Sequence, residues 1–318
     1  MRHFLDFEKP IAELEGKIEE LRRLSEPGGL NIAEEVARLT TAANRQLRAT
    51  YAKLTPWQKT QVARHPERPQ TSAYIAALIT EFVPLAGDRA FAEDAAVIGG
   101  LGRFRGRSVM VLGTEKGTDT ESRLKHNFGM ARPEGYRKAK RLIELAGRFG
   151  LPLLTFIDTS GAYPGIEAEA RGQAEAIARC IEAGLEAPVP VVATIIGEGG
   201  SGGAIALATA DCVLMLEHAV YSVISPEGCA SILWRDQAQA ATAAEALRLT
   251  AEDLSRLKLV DSVIPEPLGG AQRNAEATIA TVGDGVAQAL AELVALDSTT
   301  LKVRRREKFL QMGREDLV

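Results

Sequence analysis

The chain has 318 residues, 46% of them apolar and 25% charged, enough to bury a full-sized core, and it reads as one large globular domain with helical extensions. Its 38 basic and 42 acidic side chains leave a formal charge of −4, so no overall field draws it onto nucleic acid or an anionic membrane. Three cysteines, Cys180, Cys212 and Cys229, are odd in number and form no Cys-x-x-Cys pair, which argues against a disulfide framework or a zinc site. They read as reduced and buried, and the chain as cytoplasmic.

The N-terminal stretch carries Asp6 and Glu8 and no apolar h-region, and no later stretch approaches the ~18 apolar residues of a membrane helix, so neither export nor membrane insertion is expected. From Ile11 the residues Ile11, Leu14, Ile18 and Leu21 follow an a/d pattern, and Ile32, Val36, Leu39 and Ala43 repeat it after Pro27-Gly28-Gly29. Residues 1–65 are thus expected to form a helical hairpin docked on the main domain or on a partner chain. After the polar stretch at 65–69 the pattern changes to short β-branched runs, and 66–275 is assigned to the main domain. Strands are expected at 95–98, 108–112, 153–157, 191–196, 212–216, 221–224 and 260–264. Helices are expected at 134–148, 167–182, 203–209 and 240–249, with Pro133 at the first helical position and Gly150 just past the end of the first. Strand, Gly-rich turn and helix in repetition give an α/β fold with largely parallel strands. Residues 276–318 form a C-terminal helical tail, in which the basic stretch 302–308 reads as a solvated helix face.

The densest chemical signal is at 189–203, where a β-branched run ends in a segment in which Gly197, Gly199, Gly200, Gly202 and Gly203 fall within seven residues. Three readings compete. Gly197-x-Gly199-x-x-Gly202 fits the dinucleotide fingerprint of an NAD(P)-binding oxidoreductase, with Glu217 in the place of a ribose-binding acid. The next strand follows too soon for the usual crossover, however, and Glu198 would repel a pyrophosphate. Gly199-x-Ser201-x-Gly203 fits a nucleophile elbow, but the one downstream histidine, His218, is poorly placed for a triad with Asp211. The third reading uses backbone alone: adjacent N–H groups at Gly202, Gly203 and Ala204, at a helix start, converge on an oxyanion. A second turn, Asp158 to Gly165, follows the strand at 153–157. Pro164-Gly165 suits the centre of a type II turn there, and Gly161 allows a close backbone approach. Two glycine turns after neighbouring parallel strands would wall one cleft. The basic residues from Arg123 to Arg141 and the turn at 102–107 are assigned to no site.

These elements together resemble the carboxyltransferase α subunit of the bacterial-type, multisubunit acetyl-CoA carboxylase. The resemblance rests on Leu5 to Pro10, Asn127 to Met130, Pro133 to Lys138, Gly161-Ala162-Tyr163-Pro164-Gly165, Gly197 to Ala204, Ser222 to Trp234 and Asp261 to Gly270. Ser160 departs from the family's usual proline. The resemblance implies a crotonase/ClpP-like superhelix of stacked ββα units, and half of an active site. Carboxybiotin on a biotin carboxyl carrier protein would supply the carboxyl group and acetyl-CoA would accept it, giving malonyl-CoA for fatty-acid synthesis, with no covalently bound cofactor and no metal on this chain. Gly202, Gly203 and Ala204 would hold the biotin ureido oxygen, and Gly161, Ala162, Tyr163, Gly165, Gly199, Gly200 and Ser201 would line the substrate site. The resemblance also implies an α2β2 assembly with a β subunit, a separate biotin carboxylase, and no membrane or nucleic-acid partner. Clp-type serine peptidases share the fold, but near the place of their histidine this chain has Ser225, leaving Ser201 unactivated.

Overall fold

The computed structural model describes residues 3–24 and 30–314. Helices α1 (Lys9–Leu24) and α2 (Leu30–Tyr51) pack together through Ile11, Ile18, Ala43 and Leu47, all buried; the expected turn at Pro27-Gly28-Gly29 lies outside the described residues. Then α3 (Pro56–Ala63), started by a reciprocal cap between Thr55 and Gln58, and α4 (Thr71–Leu78) lead into β1 (Ile79–Pro84). Strands β2 (Val97–Phe104) and β3 (Arg107–Thr114) form a hairpin whose loop residues Arg105 and Gly106 both have positive φ, as a tight two-residue turn requires.

The chain continues through α5 (Thr120–Lys125), α6 (Pro133–Phe149), β4 (Leu153–Thr159), α7 (Ile166–Ala170), α8 (Gln173–Glu186), β5 (Val191–Gly200), α9 (Ser201–Ala208), β6 (Cys212–Leu216) and β7 (Val220–Ser222). It closes with α10 (Pro226–Trp234), α11 (Ala240–Leu247), α12 (Ala251–Arg256), β8 (Ser262–Ile264), α13 (Ala275–Leu293) and α14 (Ser298–Gln311). The sheet order is β1-β2-β3-β4-β5-β6-β8, antiparallel over the first three strands and parallel from β3 onward, with β7 pairing beyond β6 along the far end of β5. Every residue of β4 and β5 is buried, which accounts for their unbroken apolar runs: helices cover both faces of central parallel strands.

Pro133 opens α6 and Gly150 closes it at φ 65, as the sequence leads one to expect. Other boundaries differ. The helix expected at 167–182 is broken at Gly172, whose φ of 79 starts a new helix. The strand expected at 191–196 runs on to Gly200, so Gly197 and Gly199 lie inside a strand and not in a turn. The solvated-face reading of 302–308 fails at Arg305, which is buried and pairs with Asp211 at 2.6 Å while donating to the carbonyls of Gly184, Ala187 and Val189. Ile279, Val282, Val286 and Leu290 of α13 belong to the main core. Cys180 and Cys229 are buried, whereas Cys212 is only half-buried. Among the described residues no single helix is long and apolar enough to cross a bilayer.

Candidate active site at two glycine turns

Strand β5 turns directly into α9 at Gly200-Ser201, and Ser201 holds φ 52, a conformation that costs an L-residue of order 1–3 kcal/mol and recurs at functional sites. The first N–H groups of a helix have no partner within it, so Gly202 and Gly203 present adjacent donors at the positive end of α9, and Ala204 follows as the first residue whose N–H meets a carbonyl of the helix's own ladder, that of Gly200.

The turn after β4 lies against this one. A Cβ on Gly200 would stand 2.8 Å from Gly161 N and collide with the Ser160 carbonyl, and one on Gly203 would stand 2.8 Å from Gly161 C and 2.9 Å from Ala162 N. Bare backbone is needed at both positions because the two turns touch. Gly202 differs: a Cβ there would meet only Ile177, at 3.6 Å, an ordinary contact. Packing therefore demands glycine at 200 and 203 but not at 202: a side chain on Gly203 would strike the neighbouring turn.

The remaining sequence-derived residues have varied surroundings. Gly161 has φ 141 and its N–H donates to Thr159 Oγ1, while Tyr163 N–H donates to Ala131 O, so two of the three consecutive N–H groups at 161–163 are already committed. The Tyr163 ring lies under the Arg132 guanidinium, 4.9 Å from ring centre to Cζ. Gly165 is not the centre of a type II turn. Its φ of −86 is extended backbone at the start of α7, and its missing Cβ makes room for Tyr163 Cζ, which would otherwise be 2.7 Å away. Gly199 passes beneath the Tyr221 ring, where a Cβ would meet Cδ2 at 2.9 Å.

Charged groups to which the sequence reading gave no role in the site flank the turns. Lys116 Nζ lies 2.6 Å from Asp158 Oδ1 and 3.3 Å from Glu198 Oε2, and Arg64 bridges Glu198 and Glu227 at 2.6 Å each. Burial alone would lower the Lys116 pKa, but Asp158 and Glu198 outweigh it and raise it; burial would raise that of Glu198, but Lys116 and Arg64 hold it below the usual range. Lys116, Asp158, Glu198 and Arg64 border a cleft of about 390 Å³, also lined by Phe128, Ser160 and Gln70. Gln70 Oε1 is a buried acceptor with no partner among the described residues.

His218 is not near a catalytic serine in any triad sense. Its N–H donates to Glu266, its ring packs edge-on against Tyr51 at 5.4 Å, and Ser225 caps α10 through Gly228 N–H. Neither does the dinucleotide fingerprint survive. Gly197 and Gly199 sit in a strand, the following helix has 8 residues, and Glu217 is engaged by the Glu266 N–H at 3.1 Å.

A family model described as acetyl co-enzyme A carboxylase carboxyltransferase-like matches residues 4–313. The chain belongs to this family. It is 68% identical over 317 residues to the acetyl-coenzyme A carboxylase carboxyl transferase subunit alpha of Gluconacetobacter diazotrophicus, covering 100% of both chains. It is also 68% identical over 313 residues to that of Acidiphilium cryptum, covering 98% of each. Among solved structures, transcarboxylase 12S aligns over 72% of this chain and 42% of its own longer chain, at 20% identity and a TM-score of 0.59. A Pseudomonas malonate decarboxylase hetero-tetramer aligns over 70% and 87%, at 16% identity and a TM-score of 0.57. The fold is crotonase-like, and the activity is that of an acetyl-CoA carboxylase carboxyltransferase α subunit, part of a multisubunit enzyme that forms malonyl-CoA for fatty-acid synthesis. The oxidoreductase alternative is overturned.

Proposed function

We propose that the start of α9 is the oxyanion-binding part of the carboxyltransferase site, with the N–H groups of Gly202, Gly203 and Ala204 as donors and the turn from Gly161 to Gly165, with Gly199, Gly200 and Ser201, as its walls. The contact of the Gly200–Gly203 backbone with that of Ser160–Ala162 carries this reading, because it fixes the donors rigidly. Gly202 fits the role best: its N–H is at the helix end and no packing contact requires the absence of a side chain, which leaves approach of a ligand as the reason for glycine.

Carboxybiotin, carried by the biotin carboxyl carrier protein, supplies the transferable carboxyl group, and acetyl-CoA receives it. This chain's residues bind and orient: prealigned N–H groups favour negative charge on an oxygen without reorganisation when the reaction occurs. Fixed dipoles of this kind need no titrating side chain, consistent with the absence of histidine from both turns. In this reading the chain works in an α2β2 assembly whose β subunit completes the site, in the cytoplasm, alongside a separate biotin carboxylase. Residues 66–275 form the transferase domain, with 1–65 as an N-terminal extension and 276–318 as a C-terminal segment whose helix α13 packs into the domain's core. Enlarging residue 202 in the assembled enzyme tests the assignment: lost turnover with intact folding is expected, and unaltered turnover removes Gly202 from the site.

A further inference from the structure

Between β4 and β5 the pairing is interrupted just before the glycine turns. Ile157 pairs with Ile195 and Thr159 with Gly199, so Asp158 alone faces the three residues Ile196, Gly197 and Glu198. A bulge of this kind bends a strand and re-aims the residues beyond it, but it leaves ladder groups to be satisfied by other means. Here two buried ion pairs do so. Asp158 Oδ1 accepts the Glu198 N–H at 2.8 Å and is itself held by Lys116, and Arg68 Nε donates to Ile196 O at 2.7 Å while its guanidinium is paired with Glu266. Gly197 makes room for the arrangement, since a Cβ there would lie 2.6 Å from Asp158 Cγ. Asp158 is fixed from behind by its own N–H, which donates to Thr114 Oγ1 at 2.7 Å.

We infer that Asp158, with Lys116, is a positioning residue for carboxyl transfer: its carboxylate sets the shape of the β5 bulge and thereby the direction of the N–H groups at 202–204. The inference rests on those N–H groups serving the reaction. Asp158 is buried at the border of the cleft, and in this role it works on the β5 backbone and not on the reacting atoms. It acts through Glu198 N–H, four residues before Gly202. The position of Asp158 at the root of one turn and its bond to the root of the other tie the two together, with Lys116 bridging Asp158 and Glu198 beside it.

The test uses the α chain assembled with its β subunit, in biotin-dependent decarboxylation of malonyl-CoA, with Asp158→Ala, Asp158→Asn, Lys116→Met and Gly202→Val compared. Misplacing reactive groups by an ångström costs on the order of 100-fold, so Asp158→Ala is expected to lower kcat by about that factor with KM for malonyl-CoA unchanged. Asp158→Asn keeps an oxygen for the Glu198 N–H and is expected to recover most of the loss, with Lys116→Met intermediate. Hydrogen exchange at 199–204 is expected to quicken in Asp158→Ala and not in Asp158→Asn. If Asp158→Ala fails to assemble, Lys116→Met decides, and wild-type kcat there overturns the inference. Unchanged kcat in Asp158→Ala overturns it too. Should Gly202→Val then still abolish turnover, only the positioning role falls; should Gly202→Val be silent as well, the oxyanion reading falls with it.

Discussion

Gly203 and Gly161 meet backbone to backbone: a Cβ on Gly203 would lie 2.8 Å from Gly161 C, closer than side-chain carbons tolerate. This contact joins the turns that end β4 and β5, and it separates two kinds of glycine in one loop. Gly203→Val is expected to destabilise the chain by about 1–3 kcal/mol, as overpacking does, and to lose transfer through displacement of the turns. Gly202→Val is expected to leave the urea midpoint near wild type and still reduce kcat/KM. Equal stability losses in both variants would contradict the distinction.

Arg305 anchors α14 to the body of the fold. Its side chain is fully buried, bonded to Asp211 and to backbone carbonyls in the last turn of α8 and on the segment between α8 and β5. Removing it leaves the Asp211 carboxylate buried with its main partner gone. Arg305→Ala is therefore expected to cost about 3–5 kcal/mol in chemical denaturation. A loss within the range of ordinary surface substitutions would show that water replaces the guanidinium.

Stability should decline on acidification in two stages. Burial lowers the pKa of His65 and of His218 from 6.5; at His218, Glu266 and Glu217 oppose the shift while Lys59 and Arg68 add to it. The unfolded chain thus binds more protons just below pH 6.5, and the stability present above that value is lost as pH falls toward the depressed folded values. Glu198 and Glu266 are held below 4.5, against the effect of burial, by Lys116 and Arg64 and by Arg68, so a further loss follows as pH drops below 4.5. Denaturation midpoints measured from about pH 7.5 to about pH 4 should fall throughout, and a midpoint that rises on acidification would contradict this assignment.

Thiol chemistry provides a simpler check. Burial pushes the Cys180 thiol up to about 12, and desolvation of the half-buried Cys212, with Asp261 adding to it, pushes that thiol also up to about 12. Since the thiolate is the reactive form, both should resist alkylation near pH 8 until the chain is unfolded. Rapid labelling of Cys180 in the native protein would show that α8 opens locally.

The strands at the centre of the sheet were legible because burial on both faces leaves them apolar without alternation, and Pro133 and Gly150 marked α6 for reasons of backbone geometry alone. Strand β1 escaped notice because its apolar residues continue those of α4 with no intervening turn residue. The oxyanion candidates were readable from glycine density, but not which glycine serves packing and which a ligand, since that depends on what a Cβ would meet. Lys116, Arg64 and Asp158 carried no local signal: Arg64 reaches Glu198 across 134 residues and Lys116 reaches it across 82. Only the folded sheet brings them to the bulge, and the bulge itself arises from register, which no run of residues spells out.

The most direct measurement is biotin-dependent decarboxylation of malonyl-CoA by this chain alone, by its β subunit alone, and by the two combined, with Gly202→Val assembled in parallel. Activity only in the combination, and its loss with Gly202→Val in an intact complex, is the predicted result. Turnover by either chain alone, or wild-type turnover with Gly202→Val, would contradict a shared site completed by the N–H groups at the start of α9.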